Sequence, residues 1–117
     1  MAFIRGEAGA YRVLAEIEAG ASIPAVNLAE LATLVTNTGE SEESVRRVIS
    51  DMQLDVIPFD EELAYQAGLL VSLTRSRGLS LGDRACLATA MHHKLRILTG
   101  DRAWQGLPFD VEIEFFR

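Results

Sequence analysis

Three acids stand in this sequence at places where a carboxylate needs a reason. In Val26-Asn27-Leu28-Ala29-Glu30-Leu31-Ala32-Thr33-Leu34-Val35, seven of ten residues are apolar and Glu30 carries the only charge. A carboxylate among apolar neighbours is costly unless it is paired, protonated or bound to a cation. In Leu79-Ser80-Leu81-Gly82-Asp83-Arg84-Ala85-Cys86-Leu87-Ala88, a short apolar approach and a glycine lead into Asp83. In Leu95-Arg96-Ile97-Leu98-Thr99-Gly100-Asp101, a second apolar run ends in Asp101, eighteen positions beyond Asp83. A helix followed by a strand brings the helix start and the strand end to one edge of a sheet, so Asp83 and Asp101 would share a cleft. Carboxylates with no cysteine pair and no paired-histidine spacing suit Mg2+ or Mn2+ better than Zn2+. Such an ion can position a water for in-line attack on a phosphodiester.

Each of these residues also has a plainer reading. Ser80 and Asp83 fit the Ser-x-x-Asp pattern that caps a helix before an apolar run, and an acid there complements the helix dipole. Glu30 fits a solvated stripe or a pairing with an arginine. Thr99 fits either a hydrogen-bonding partner of an acid or a β-branched strand residue. His92 and His93 lie near a helix end, where they favour the dipole. Cys86, the only cysteine, stands in an apolar helix and reads as core. Arg75, Arg77 and Arg84 gather near Asp83 in sequence, and Arg102 follows Asp101.

The elements that would hold the acids follow from periodicity and punctuation. Met1 to Gly6 reads as the tail of an element, and Glu7 to Ala19 as a helix stopped by Gly20. Ala21 to Pro24 is short and β-like. Val26 to Thr36 is a helix broken by Asn37-Thr38-Gly39. Ser41 starts another helix to about Met52, and Asp55 to Phe59 is a strand candidate. Asp60-Glu61-Glu62 opens one long helix toward Arg77, ended by Gly78. The helix at Asp83 runs to His93, and a strand follows around Arg96 to Leu98. Asp101 to Gln105 reads as a helical turn, and Val111 to Phe115 alternates like an edge strand. Helices alternating with short strands predict a single α/β domain over residues 1–117 with a parallel sheet.

Composition narrows the function classes. An apolar fraction of 49% and a charged fraction of 24% are ordinary for a globular domain. The net charge of −6 disfavours a simple nucleic-acid coating protein, although bound metal would reverse the field locally. No run is long enough to span a membrane and no export signal is present, so the cytoplasm is expected. Glycine-rich phosphate loops and nucleophile elbows are absent from the sequence.

The segments Val26 to Leu31, Leu79 to Ala88 and Ile97 to Trp104 together resemble PIN-domain ribonucleases, and more closely the VapC-type toxins of bacterial toxin–antitoxin pairs. The resemblance extends over essentially the whole chain. It implies a three-layer α/β/α fold and an endoribonuclease dependent on Mg2+ or Mn2+. It also implies inhibition by a cognate antitoxin and a homodimeric assembly. Carried over by residue, Glu30, Asp83 and Asp101 match the acidic metal site, with Asn27, Ser80 and Thr99 as supporting polar groups. In the family, a strand ending in an acid precedes the helix to which Phe3-Ile4-Arg5 corresponds, whereas this chain begins at Met1 within that helix. The expected consequences are weaker metal binding and a sheet lacking its central strand, with two exposed edges. The rival expectation is a non-catalytic binding module in which the acids are helix caps.

Overall fold

The computed structural model describes residues 22–99, 104–109 and 111–115. The helix expected over Glu7 to Ala19 and the acid Asp101 lie outside them. The described elements are β1 (Ser22–Pro24), α1 (Ala25–Thr36), α2 (Glu42–Asp51), β2 (Asp55–Ile57), α3 (Glu61–Leu69), α4 (Val71–Thr74), α5 (Leu81–His93), β3 (Ile97–Thr99) and β4 (Ile113–Phe115). A 3-10 turn, Arg75–Arg77, joins α4 to the approach to α5.

Local chemistry sets the helix starts. Pro24 has φ −64°, suited to the entry of α1, and its missing N–H costs nothing there. The Ser41 hydroxyl accepts from Ser44 N at 3.2 Å, with Glu42 and Glu43 in the first turn of α2. Asp60 Oδ1 accepts from Leu63 N at 3.0 Å to begin α3. Gly78 ends the 3-10 turn at φ 66°, a left-handed conformation that needs no Cβ.

The long helix expected from Glu61 to Arg77 is instead divided. It relaxes at Leu70 and again at Thr74, where φ is −118° and ψ is 3°. Thr74 is buried, and both its hydroxyl, at 2.9 Å, and its N–H, at 3.0 Å, donate to Leu70 O.

α5 is the spine of the molecule. It packs against α3 and α1, and it also touches β1 and β3. Ala85, Leu87, Ala88, Thr89 and Ala90 are all buried, so this helix is enclosed on more than one side. Its small residues let α3 approach closely through Leu63 and Ala67, which are themselves buried. Leu70, Leu79, Ile97 and Trp104 complete the same core. Trp104 is thus a packing residue, in keeping with its apolar sequence neighbourhood.

All strand pairing among the described residues is parallel, as the alternation of helices and strands predicts. β1 pairs with β2 in the register Ser22 to Asp55, and β3 pairs with β4 in the register Ile97 to Ile113. Among the described residues the pairs form two separate two-stranded sheets. α5 packs against β1 of one pair and β3 of the other.

Packing on α5 makes its core side chains decisive. Leu87→Ala is expected to lower unfolding free energy by about 2–5 kcal/mol, since the side chain is fully buried. Urea unfolding followed by circular dichroism measures this.

Candidate active site

α1 and the first turn of α5 meet face to face, and the contact is made by polar groups. Gly82 is buried, and a Cβ built there would lie 2.6 Å from both Cδ and Oε1 of Glu30. Glu30 Oε2 is also in contact with that position. The carboxylate therefore occupies the space that any larger residue would fill. Glu30 sits on α1 between apolar neighbours, as its sequence surroundings suggest, and half-buried against α5.

Asn27 fixes this approach. Its Nδ2 donates to Glu30 Oε1 at 2.9 Å and to Gly82 O at 3.1 Å, so one amide ties the acid and the helix backbone together. Both neighbours are acceptors, which requires the amide nitrogen to face them. Asn27 is 3% exposed, and its Oδ1 is left without a hydrogen-bond partner. A buried amide oxygen without a donor is costly, and such groups cluster where a ligand or ordered water is received.

Asp83 follows Gly82 directly. Ser80 Oγ accepts from Asp83 N at 3.2 Å, and Asp83 Oδ2 accepts from Ser80 N at 3.0 Å. The reciprocal pair is a capping box, with Ser80 at the N-cap and Asp83 in the third helical position. α5 accordingly begins at Leu81, two residues before the acid that marks it in the sequence. Asp83 is half-buried, and its Oδ1 takes no hydrogen bond among the described residues. Glu30 and Asp83 therefore bracket one short stretch of backbone.

Cys86, one turn further along α5, records the company of both acids. Burial, with the Asp83 and then the Glu30 carboxylate nearby, pushes its thiol up from the ordinary 9.0 to about 12. The thiol is protonated at neutral pH and packs against the core, so it is no nucleophile.

Thr99 closes β3, two residues before Asp101. Among the described residues, no group of three or more His, Cys, Asp or Glu side chains is placed to hold a metal. His92 and His93 pack edge to face, with ring centroids 4.9 Å apart, at the exposed end of α5. The nearby arginines serve the fold. Arg84 donates to Ala67 O at 3.0 Å across the α3–α5 seam, and Arg77 donates to Gln105 O and Gly106 O.

The donors that do come together are oxygens. The carboxylate oxygens of Glu30 and Asp83 are of the kind that hard divalent cations prefer, which fits Mg2+ or Mn2+. The contribution of Gly82 escapes a reading of spacing alone. A glycine in the first turn of a helix, where it weakens the helix, is the sequence signal for it.

The PIN domain family model matches residues 1–110, and the chain belongs to the PIN-domain family. Its fold is similar to that of a solved toxin–antitoxin complex from Klebsiella pneumoniae, with a TM-score of 0.69 at 22% identity. That similarity covers 96% of this chain and 87% of the other. No curated protein matches the sequence.

Two measurements test the geometry. Gly82→Ala is expected to displace the Glu30 carboxylate and to destabilise the chain by about 1–3 kcal/mol, read by urea unfolding. For Cys86, the raised thiol pKa means that the folded chain favours the neutral form. The stability it contributes is complete below pH 9.0, falls as pH rises, and is lost on passing about 12. Cys86→Ser should flatten this alkaline decline relative to the parent chain in unfolding measured between pH 8 and pH 11.

Proposed function

We propose that this chain is the toxin of a type II toxin–antitoxin pair, an endoribonuclease of VapC type that uses Mg2+ or Mn2+. The observation that carries the reading is the seating of Glu30 on the backbone that precedes Asp83, in a chain of PIN-domain sequence. Two carboxylates from distant parts of the chain converge there without an arginine between them. Asp101 is the third acid of the proposal. It follows β3 by two residues and lies outside the described residues.

In this reading Glu30, Asp83 and Asp101 hold the cation, while Asn27 orients Glu30 and Ser80 orients Asp83. Thr99 supports Asp101 by hydrogen bonding. When bound, such a cation would supply Lewis acidity and a more acidic water for phosphodiester hydrolysis. Its charge would also offset that of the acids locally, so that the chain's net charge of −6 would not bar an RNA strand from the loaded site. The toxin–antitoxin neighbour supports an antitoxin as the protein partner. No helix among the described residues is long and apolar enough to cross a membrane. We place the protein in the cytoplasm, as a homodimer.

The capping box favours a second reading. Asp83 is fully explained as a helix cap, which is what a non-catalytic binding module would require of it. Asp83→Asn separates the two, because the amide oxygen can still accept from Ser80 N while the charge is lost. For the nuclease, Mn2+ at about 100 times its dissociation constant should stabilise the parent chain by about 2.7 kcal/mol. Asp83→Asn and Glu30→Gln should each abolish that gain and cut RNA cleavage by roughly a hundredfold or more. Unchanged melting of the parent chain in Mn2+, with no RNA cleavage, would establish the binding module instead.

A further inference from the structure

Arg77 stands at the end of the 3-10 turn, three residues before the Ser80 N-cap of α5, and its side chain leaves its own segment. The guanidinium donates through Nη1 to Gln105 O and through Nη2 to Gly106 O, the latter at 3.1 Å. Two successive carbonyls thus meet the two ends of one planar fork, a match that arginine makes and lysine does not. Gly106 has φ 74°, a left-handed conformation that glycine adopts freely. A Cβ there would lie 3.9 Å from both Nη1 and Nη2, so this turn of backbone runs in contact with the guanidinium.

The two segments joined in this way adjoin Asp83 and Asp101. Leu79, two residues after Arg77, and Trp104, one before Gln105, are both buried in the core around α5. Trp104 is 1% exposed, yet its Nε1 has no hydrogen-bond partner, so the ring is seated by packing alone. β3 ends at Thr99, paired with Phe115, and four residues separate Thr99 from Trp104, Asp101 among them. The stretch that bears Asp101 is therefore anchored by a strand on one side and by Trp104 and Arg77 on the other. Toward Asp83, Gly78 and Leu79 lead from Arg77 to the capping box at Ser80. One side chain thus ties the approach to one acid to the turn that follows the other.

We propose that Arg77 is a positioning residue of the acidic site, which sets Asp101 relative to Asp83 by clamping the carbonyls of Gln105 and Gly106 to the approach of α5. The inference rests on the reading above of Asp101 as the third acid, and names the residue on which that acid's placement depends. Arg77 acts through the backbone and not through contact with cation or RNA.

Trp104, the only tryptophan, reports the clamp without metal. Arg77→Gln should shift its fluorescence emission to the red while the far-ultraviolet circular dichroism spectrum stays unchanged. Calorimetric titration of the folded chain with Mn2+ should give Arg77→Gln an affinity roughly tenfold below that of the parent, the loss expected when a group that orients metal ligands is removed. Removing a positive charge near the site by itself favours a cation, so weaker binding reports position and not charge. Arg77→Lys, which keeps the charge and reaches one carbonyl, should fall between the two. A role in stability alone would lower the urea midpoint of Arg77→Gln and leave its Mn2+ affinity unmoved, and that result overturns the proposal. Trp104 emission that does not shift overturns it as well. A parent chain that binds no Mn2+ overturns the nuclease reading and this inference together, whereas equal binding by parent and Arg77→Gln overturns the inference alone.

Discussion

The site depends on one close approach, that of the Glu30 carboxylate to the backbone of Gly82. Two helices far apart in sequence can bring polar groups together this tightly only where one of them lacks a side chain. Asn27 makes the approach sustainable, because a single amide satisfies the acid and the Gly82 carbonyl at once. The capping box of Ser80 and Asp83 then fixes where α5 begins, and so which residue Glu30 meets. The raised thiol of Cys86 is a by-product of the same crowding, since burial and two carboxylates act on it together.

α5 carries more of the structure than the strands do. The two strand pairs are short and share no hydrogen bonds among the described residues, so they are related through side chains packed on this helix. Ile23 on β1 and Ile97 on β3 are both buried, which places apolar weight on the strands that meet α5. β2 is exposed at Asp55 and Val56. Cohesion between the halves is therefore that of a close-packed interior rather than of a continuous ladder.

Much of this was legible in the residues. Ser41, Asp60 and Ser80 announce their helices because a capping hydrogen bond is local and its residue types are few. The parallel pairing followed from the alternation of helices and strands. The acids Glu30 and Asp83 stood out because their neighbours were apolar. The break of the α3 segment was not legible, because no proline or glycine marks it at Leu70 or Thr74. Nor could spacing reveal Gly82 as the seat of Glu30, since the two are 52 positions apart and meet only after both helices pack. The arginines near Asp83 looked like candidates for a charged cleft, whereas Arg77 and Arg84 are spent on backbone carbonyls.

The capping box also bears on denticity. Asp83 commits Oδ2 to the Ser80 N–H and keeps Oδ1 free of hydrogen bonds among the described residues. It can offer a cation one oxygen without disturbing the start of α5. Chelation through both oxygens would unpair the Ser80 N–H and fray the first turn. Larger ions such as Ca2+ often take carboxylates in that bidentate manner, whereas Mg2+ retains its waters and accepts single oxygens. In a chain that binds a cation here, the hydrogen bond that begins the helix would discriminate among ions by the number of atoms each demands.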